Sequence, residues 1–113
     1  MILRVHTARL SYGGPDRFDV TRGNATPESL PFAPPWQLVR GAKSGEIPWD
    51  RYVDHYLTCM RASYRENRAA WDAILSRDVV TLVCFCVDDR KCHRAILAGI
   101  LGKLGAVVIG ERT

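Results

Sequence analysis

No run in this sequence approaches the roughly 18 consecutive apolar residues that a membrane-spanning helix requires. The opening segment, MILRVHTARL, is too short to be a secretory signal, and Arg4 interrupts it early. These absences argue against a secreted disulfide framework and against an integral membrane protein. We expect a soluble cytoplasmic protein whose four cysteines remain reduced thiols.

The sequence also lacks internal repeats, low-complexity tracts and any strong bias in composition. Hydrophobic residues make up 47% and charged residues 25% of the 113 residues, close to the averages of globular proteins, so disordered and fibrous classes are not indicated. This length fits a single domain, residues 1–113, whose core needs no disulfide. The formal net charge of +4 favours an anionic partner, either a small molecule or nucleic acid.

Three apolar segments are typical of β-strands. The segment VVTLVCFC, residues 79–86, is β-branched and apolar on both faces, as expected for the central strand of a parallel sheet. Weaker patterns predict a first strand over residues 2–6 and a last strand at AVVIG, residues 106–110.

Helical periodicity is strongest after Pro48, where apolar residues recur at spacings of three and four over residues 49–60. Ser63 and Glu66 have the spacing of a capping box, in which each side chain binds the other residue's backbone N–H. This pattern predicts a second helix over residues 64–76.

The remaining segments complete an α/β order. A third helix is predicted from about Lys91 to Gly105, capped by Asp88 or Asp89, and residues 16–45 are predicted to form a long ordered loop with short elements. The predicted fold is a small three-layer α/β sandwich with a short, mostly parallel sheet and helices on both faces.

The segment CFCVDDRKCHR follows the central strand and contains three of the four cysteines. In open α/β sheets, ligands bind beyond the carboxyl ends of the strands, which is where Cys86 and the next helix N-terminus are predicted to lie. Side chains alternate along a strand, so Cys84 and Cys86 share one face, while Cys92 lies in the first helical turn. Three sulfurs are therefore expected to approach one another.

Three interpretations of this segment stay open. As a metal site it offers zinc four thiolate or imidazole ligands, Cys84, Cys86, Cys92 and His93, although their spacing is unlike that of common zinc sites. As a nucleophilic site it places a cysteine at a helix N-terminus, where N–H groups and neighbouring cations favour the thiolate. As a structural element, its cysteines only pack as small hydrophobes.

A cysteine-phosphatase loop is a poor interpretation, although Cys84 and Arg90 have its spacing. The five residues between them include no glycine, which such a loop needs for close backbone approach. They do include Asp88 and Asp89, whose carboxylates repel a phosphate.

The segment resembles the signature of the domain-of-unknown-function family DUF488, in which C-x-C is followed by C-H-R-x-x-L-A. The likeness extends to the F-A-P-x-W segment at residues 32–36 and to the W-x-x-Y-x-x-x-Y-x-x-x-M-R helix at residues 49–61. The resemblance covers most of the chain and implies a compact α/β sandwich. It points to five residues without assigning them a substrate: Cys84, Cys86, Cys92, His93 and Arg94.

We expect a cysteine-dependent hydrolase or transferase that acts on an anionic substrate related to nucleotides or nucleic acids. Cys92 or Cys86 is the predicted nucleophile, and His93 is predicted to transfer protons. The anion is expected near the helix N-terminus, held by side chains at the same edge, namely Arg94, Arg9, Ser11 and Tyr12.

The alternative is a non-catalytic module. In it the cysteine segment binds zinc or only packs, and the cationic side chains of Arg61, Arg65 and Arg68 recognise nucleic acid or a protein. No cofactor other than zinc is indicated by the residues.

Overall fold

The computed structural model of the chain describes residues 2–84 and 92–112. Its centre is a four-stranded, all-parallel sheet in the order β2-β3-β1-β4. The strands are β1 (Arg4–Arg9), β2 (Arg17–Asp19), β3 (Val79–Cys84) and β4 (Val107–Glu111). The helices are α1 (Trp36–Ser44), α2 (Trp49–Glu66), α3 (Arg68–Leu75) and α4 (His93–Lys103), and a single 3-10 turn spans Leu30–Phe32. The predicted α/β class with a parallel sheet is confirmed.

The handedness of the connections determines which segments cover each face of the sheet. Connections between parallel strands are almost always right-handed. The steps from β2 to β3 and from β3 to β4 run in the same direction across the sheet, so their helices lie on one face. The step from β1 to β2 runs the other way, so residues 10–16 cross the opposite face. This connection contains no helix, so the described helices lie on one face of the sheet, whereas the sequence predicts helices on both faces.

The helical face of the sheet holds the hydrophobic core. Val5, Val80 and Leu82 lie on this face and are fully buried. They form one cluster with side chains of α2, α3 and α4, at whose centre Trp71 packs edge-on against Phe32 with 4.7 Å between ring centroids. The even-numbered residues of β3, Val80, Leu82 and Cys84, thus belong to the core beneath the helices.

A polar network lies on the opposite face. The Asp16 carboxylate accepts hydrogen bonds from Thr81 (2.6 Å), Tyr12 (2.5 Å) and Arg112 (3.2 Å). Burial alone would raise the pKa of Asp16, but the hydrogen bonds from Thr81 and Tyr12 outweigh it and lower the pKa to about 2. This ionised carboxylate fixes the crossing loop to the sheet.

The predicted capping box at Ser63 is wrong. Helix α2 runs through Ser63 to Glu66, and α3 begins only at Arg68. The Ser63 hydroxyl donates to the carbonyl of Pro31 (2.7 Å) and accepts from Nε1 of the buried Trp71 (3.0 Å). These tertiary hydrogen bonds use the side chain that the local pattern assigned to a cap.

The long loop predicted over residues 16–45 contains more regular structure than expected. It includes β2, which has only three residues, and α1, which has nine. Helix α1 ends at Gly45, whose φ of 82° is left-handed and suits glycine. The N-cap position of α1 is Pro35, which gives no side-chain cap and therefore no sequence signal for a start.

Helix α4 begins at His93, with Cys92 in the extended conformation of an N-cap residue. The predicted caps at Asp88 and Asp89 and the last two residues of the predicted central strand, Phe85 and Cys86, lie outside the described residues. Within residues 2–84 and 92–112, no helix is both long enough and apolar enough to cross a membrane.

Replacing Ser63 by alanine should lower the free energy of unfolding by about 1–3 kcal/mol, because it leaves the buried Trp71 Nε1–H without its acceptor. Ser76→Ala is the matched control, since its hydroxyl is exposed and bonds only to the Ala73 carbonyl. Urea denaturation of both variants measures the difference. Equal stabilities would contradict the role assigned to Ser63.

Candidate functional site

Five of the predicted site residues lie at the carboxyl edge of the sheet, namely Cys84, Cys92, His93, Arg94 and Arg9. Cys84 is the last residue of β3, Glu111 is the last residue of β4, and Cys92 is the N-cap residue of α4. Arg9, the last residue of β1, pairs in register with Cys84. Strand ends and a helix N-terminus therefore converge here, as the fold class requires.

The two sulfurs that the structure describes at this edge are in direct contact. The Sγ atoms of Cys84 and Cys92 lie at disulfide distance, and both residues are buried. Their Cα atoms are 7.8 Å apart, whereas disulfides usually join Cα atoms about 4.4–6.8 Å apart. This pairing differs from the four reduced thiols expected from the sequence, and either sulfur becomes a thiol only after the pair is reduced. Cys86, the third predicted sulfur, lies outside the described residues.

Arg94 is the central charge of the site, and none of its surface is exposed. Its Nη1 atom donates to the sulfurs of Cys84 (3.2 Å) and Cys92 (3.5 Å). Its Nε and Nη2 atoms donate to the two carboxylate oxygens of Glu111, at 3.2 and 2.8 Å. The guanidinium thus joins the carboxylate of β4 to both sulfurs.

Glu111 is held ionised in this arrangement. It also accepts a hydrogen bond from the Thr7 hydroxyl of β1. Burial alone would raise the pKa of Glu111, but hydrogen bonds from Arg94 and Thr7 outweigh it and keep the pKa below the usual 4.5. A carboxylate and a guanidinium therefore balance each other beside the sulfurs.

His93 is buried and neutral. Burial lowers its pKa to about 4, so the imidazole carries no charge near neutral pH. Its Nε2 atom lies 2.8 Å from the carbonyl oxygen of Val20. Because a carbonyl only accepts, Nε2 carries the proton, and Nδ1 has the free lone pair.

Cys84, Cys92 and His93 form a group that could bind a metal. Their candidate ligand atoms all lie within 4.8 Å of one another. Two thiolates and one imidazole suit zinc, which takes sulfur and nitrogen ligands and usually needs four. The fourth ligand of the predicted set, Cys86, lies outside the described residues.

A pocket of about 450 Å³ opens beside Cys92 and His93, which line it. Among the described residues, Cys92 lines this pocket and Cys84 does not. The other lining residues come from α1, α2 and the loops that flank α1, and they include three aromatic and two cationic side chains, Trp36, Trp49, Tyr52, Arg22 and Lys43. Trp49 stacks on Tyr52 with 5.1 Å between ring centroids. The wall is therefore largely apolar and aromatic, with cations at two positions.

The remaining predicted substrate contacts, Arg9, Ser11 and Tyr12, lie outside the pocket, although Arg9 is at the same edge of the sheet. Arg9 and Ser11 are exposed, and Tyr12 donates to Asp16 on the opposite face of the sheet. None of the three is among the described residues that line the pocket.

Sequence reasoning missed several residues that the structure places at the site. No local pattern links Glu111 or Thr7 to the cysteine segment. The two residues are also 104 positions apart from each other along the chain, so their contact cannot be read from sequence. Arg22 and Lys43 lie in a segment without periodicity. The only sequence signal for this wall was the group of large apolar residues in the long loop, which needed a surface to pack against.

A family model described as "Active DUF488-N3 subclade" (DUF488-N3a) matches residues 3–105. The match agrees with the resemblance predicted from the cysteine segment. Comparisons with curated proteins and with solved structures gave no significant match.

Replacing Glu111 by glutamine should lower the free energy of unfolding by about 3 kcal/mol, because it removes the negative charge that Glu111 places 2.8 Å from the buried Arg94 guanidinium. Asp78→Asn is the control, since the Arg4–Asp78 pair is exposed and should change stability by less than about 1 kcal/mol. Denaturant unfolding measures both.

The difference in unfolding free energy between wild type and Glu111→Gln should also depend on pH. The pKa of Glu111 is lowered in the folded state, so its contribution is present above the unfolded value of 4.5 and is lost as the pH falls below it. The difference between wild type and Glu111→Gln should therefore shrink on acidification. A difference that is independent of pH would contradict this interpretation.

Proposed function

The chain belongs to the DUF488 family, in the subclade described as active DUF488-N3, and from this premise we propose that it is a thiol-dependent hydrolase or transferase. Its nucleophile is Cys92, and its substrate is an anion related to nucleotides or nucleic acids. One observation carries the proposal: Cys92 lines a pocket while it also contacts a fully buried arginine at a helix N-terminus.

Two features favour the thiolate of Cys92. It occupies the N-cap position of α4, where the first backbone N–H groups of an 11-residue helix carry a partial positive charge. The Arg94 guanidinium donates to its sulfur. Cysteines at helix N-termini beside cations are those whose thiolates form most easily. Cys84 also accepts a hydrogen bond from this guanidinium, but it does not line the pocket.

The role of His93 follows from its protonation state. A pKa of about 4 makes the imidazole a weak base, so forming the thiolate depends on Arg94 and the helix rather than on His93. The lone pair on Nδ1 can take a proton transiently from an attacking water or hydroxyl group. His93 is therefore assigned to proton transfer after the covalent intermediate has formed.

The pocket wall fits a planar anion. Arg22 and Lys43 provide cations, and Trp36 and Trp49 provide aromatic surface, which suits a ring that carries a phosphate or carboxylate. Arg94 is occupied by Glu111 and the sulfurs, so its role is to hold the thiolate rather than to contact the substrate. Arg9 lies at the same edge and would contact a substrate that extends beyond the pocket.

The proposed reaction has two steps. The Cys92 thiolate attacks an electrophilic atom of the substrate, a bond to sulfur forms, and the bond to the leaving group breaks with the electron pair. Water or an acceptor hydroxyl then attacks the intermediate, gives its proton to Nδ1 of His93, and releases the product and the thiolate. The leaving group of the first step takes its proton from solvent, and His93 returns the proton it accepted in the second step to solvent.

After pre-treatment with reductant, Cys92 should react with iodoacetamide near neutral pH at least about ten times faster than Cys59, a partly buried cysteine of α2. Mass spectrometry of digested protein identifies the labelled residue. Cys92→Ser should abolish fast labelling, and Cys84→Ser should retain it. Uniformly slow labelling, or fast labelling of Cys84 or Cys86 instead, would contradict the assignment.

A second candidate function is a zinc site, because the ligand atoms of Cys84, Cys92 and His93 converge within 4.8 Å. These three residues would hold the ion, which would leave one coordination position for a further ligand. In such a site Arg94 would donate hydrogen bonds to the two thiolates, as outer-shell groups commonly do.

If zinc is bound, purified protein should carry about one equivalent of it, and chelation should lower the melting temperature. Elemental analysis and thermal denaturation measure the two quantities. Cys84→Ser and His93→Gln should lose the metal, and Cys59→Ser should keep it. Protein that is folded, free of zinc and unable to take it up would exclude this candidate and leave the thiol proposal unaffected.

A further inference from the structure

A second concave surface lies away from the cysteine pocket, between α2 and α4. It is a groove of about 430 Å³, and its lining shares no described residue with the cysteine pocket. Nine described side chains line it: Leu57, Met60, Arg61, Tyr64, Arg65, Trp71, Ile100, Lys103 and Leu104. We call this surface the α2–α4 groove.

The floor of the α2–α4 groove is apolar. Met60 and Trp71 form its buried base, and Leu57 and Ile100 are partly exposed beside them. At the end formed by α4, Leu104 exposes 37% of its surface. A protein that keeps such a surface open to water usually covers it with a partner.

The apolar surface continues beyond the groove towards β4. Gly102 packs so closely that an added Cβ would lie 3.1 Å from a methyl group of Val108. Val108 exposes 46% of its surface. The exposed apolar surface therefore extends past the groove lining to one residue of β4.

The rims of the α2–α4 groove are cationic on both sides. Arg61 and Arg65 lie one helical turn apart on α2, and Lys103 lies on α4 across the groove. All three are exposed, and no carboxylate is among the described lining residues. Any ligand of the apolar floor is thus flanked by positive charge on two sides.

We propose that the α2–α4 groove binds an acidic amphipathic helix of a partner protein. The apolar stripe of such a helix would lie on the floor, and carboxylates on both flanks of the stripe would face the two cationic rims. This inference is independent of the thiol chemistry, because the two surfaces share no described residue.

Two other ligands fit the groove less well. An amphiphile with one anionic head group would use only one of the two rims. A single-stranded nucleic acid uses open aromatic surface for stacking, but Trp71 is fully buried and Arg68 already covers the ring of Tyr64, with its guanidinium carbon 4.4 Å from the ring centre.

The test uses the full chain and three fluorescein-labelled peptides of 18 residues. The first has leucines at helical spacings flanked by glutamates, the second replaces the glutamates with lysines, and the third is a scrambled sequence of the first. Fluorescence anisotropy at low salt should show the acidic amphipathic peptide binding at least about tenfold more tightly than either control, and added salt should weaken it.

Charge-reversal variants locate the site. Arg61→Glu combined with Lys103→Glu should weaken binding of the acidic peptide at least about tenfold. Arg40→Glu combined with Arg51→Glu is the matched control, because both residues are exposed on α1 and α2 away from the groove lining and the net charge changes equally. Circular dichroism checks that both double variants remain folded.

Each outcome decides the proposal. Loss of binding in the groove variant alone supports it. The proposal is overturned if both double variants lose binding equally, or if the scrambled peptide binds as tightly as the amphipathic one. It is also overturned if no peptide binds. Saturable binding of decanoate or of single-stranded oligonucleotide at Arg61 and Lys103, without peptide binding, also overturns it in favour of an amphiphile or nucleic acid.

Discussion

The buried guanidinium of Arg94 is the constraint on which the carboxyl edge of the sheet depends. A cation without solvent exposure needs partners on several sides, because burial removes the water that would stabilise it. Here the carboxylate of Glu111 neutralises it, and the sulfurs of Cys84 and Cys92 accept hydrogen bonds from its Nη1 atom. One charge therefore fixes the distance between the first turn of α4 and the ends of β3 and β4.

The two faces of the sheet hold separate polar networks. Successive residues of a strand point to opposite faces, so Glu111 bonds to Arg94 in the helical layer, while Arg112, which follows it, reaches Asp16 and Thr81 on the other face. The cysteine site lies at the edge of the first face. The polar network on the second face fixes the loop that leads from β1 to β2.

The sequence predicted the parts of this molecule that depend on local patterns. The central strand, the long helix after Pro48 and the convergence of Cys84 with Cys92 follow from apolar periodicity and side-chain alternation, and the structure shows all three. The capping box failed because the Ser63 hydroxyl is used by Pro31 and Trp71, which no local pattern reveals. The role of Glu111 is likewise invisible in sequence, because its contacts with Thr7 and Arg94 arise only from strand order.

The contact between Thr7 and Glu111 joins residues that lie 104 positions apart, and it holds the carboxylate that pairs with Arg94. During synthesis, β1, α2 and β3 can therefore leave the ribosome and begin to fold before the carboxylate that balances the guanidinium exists. The surroundings of the two sulfurs are therefore complete only after β4 has joined the sheet. A partly synthesised chain lacks the Glu111 carboxylate, and the carboxyl edge is the last part of the sheet to acquire its charge balance.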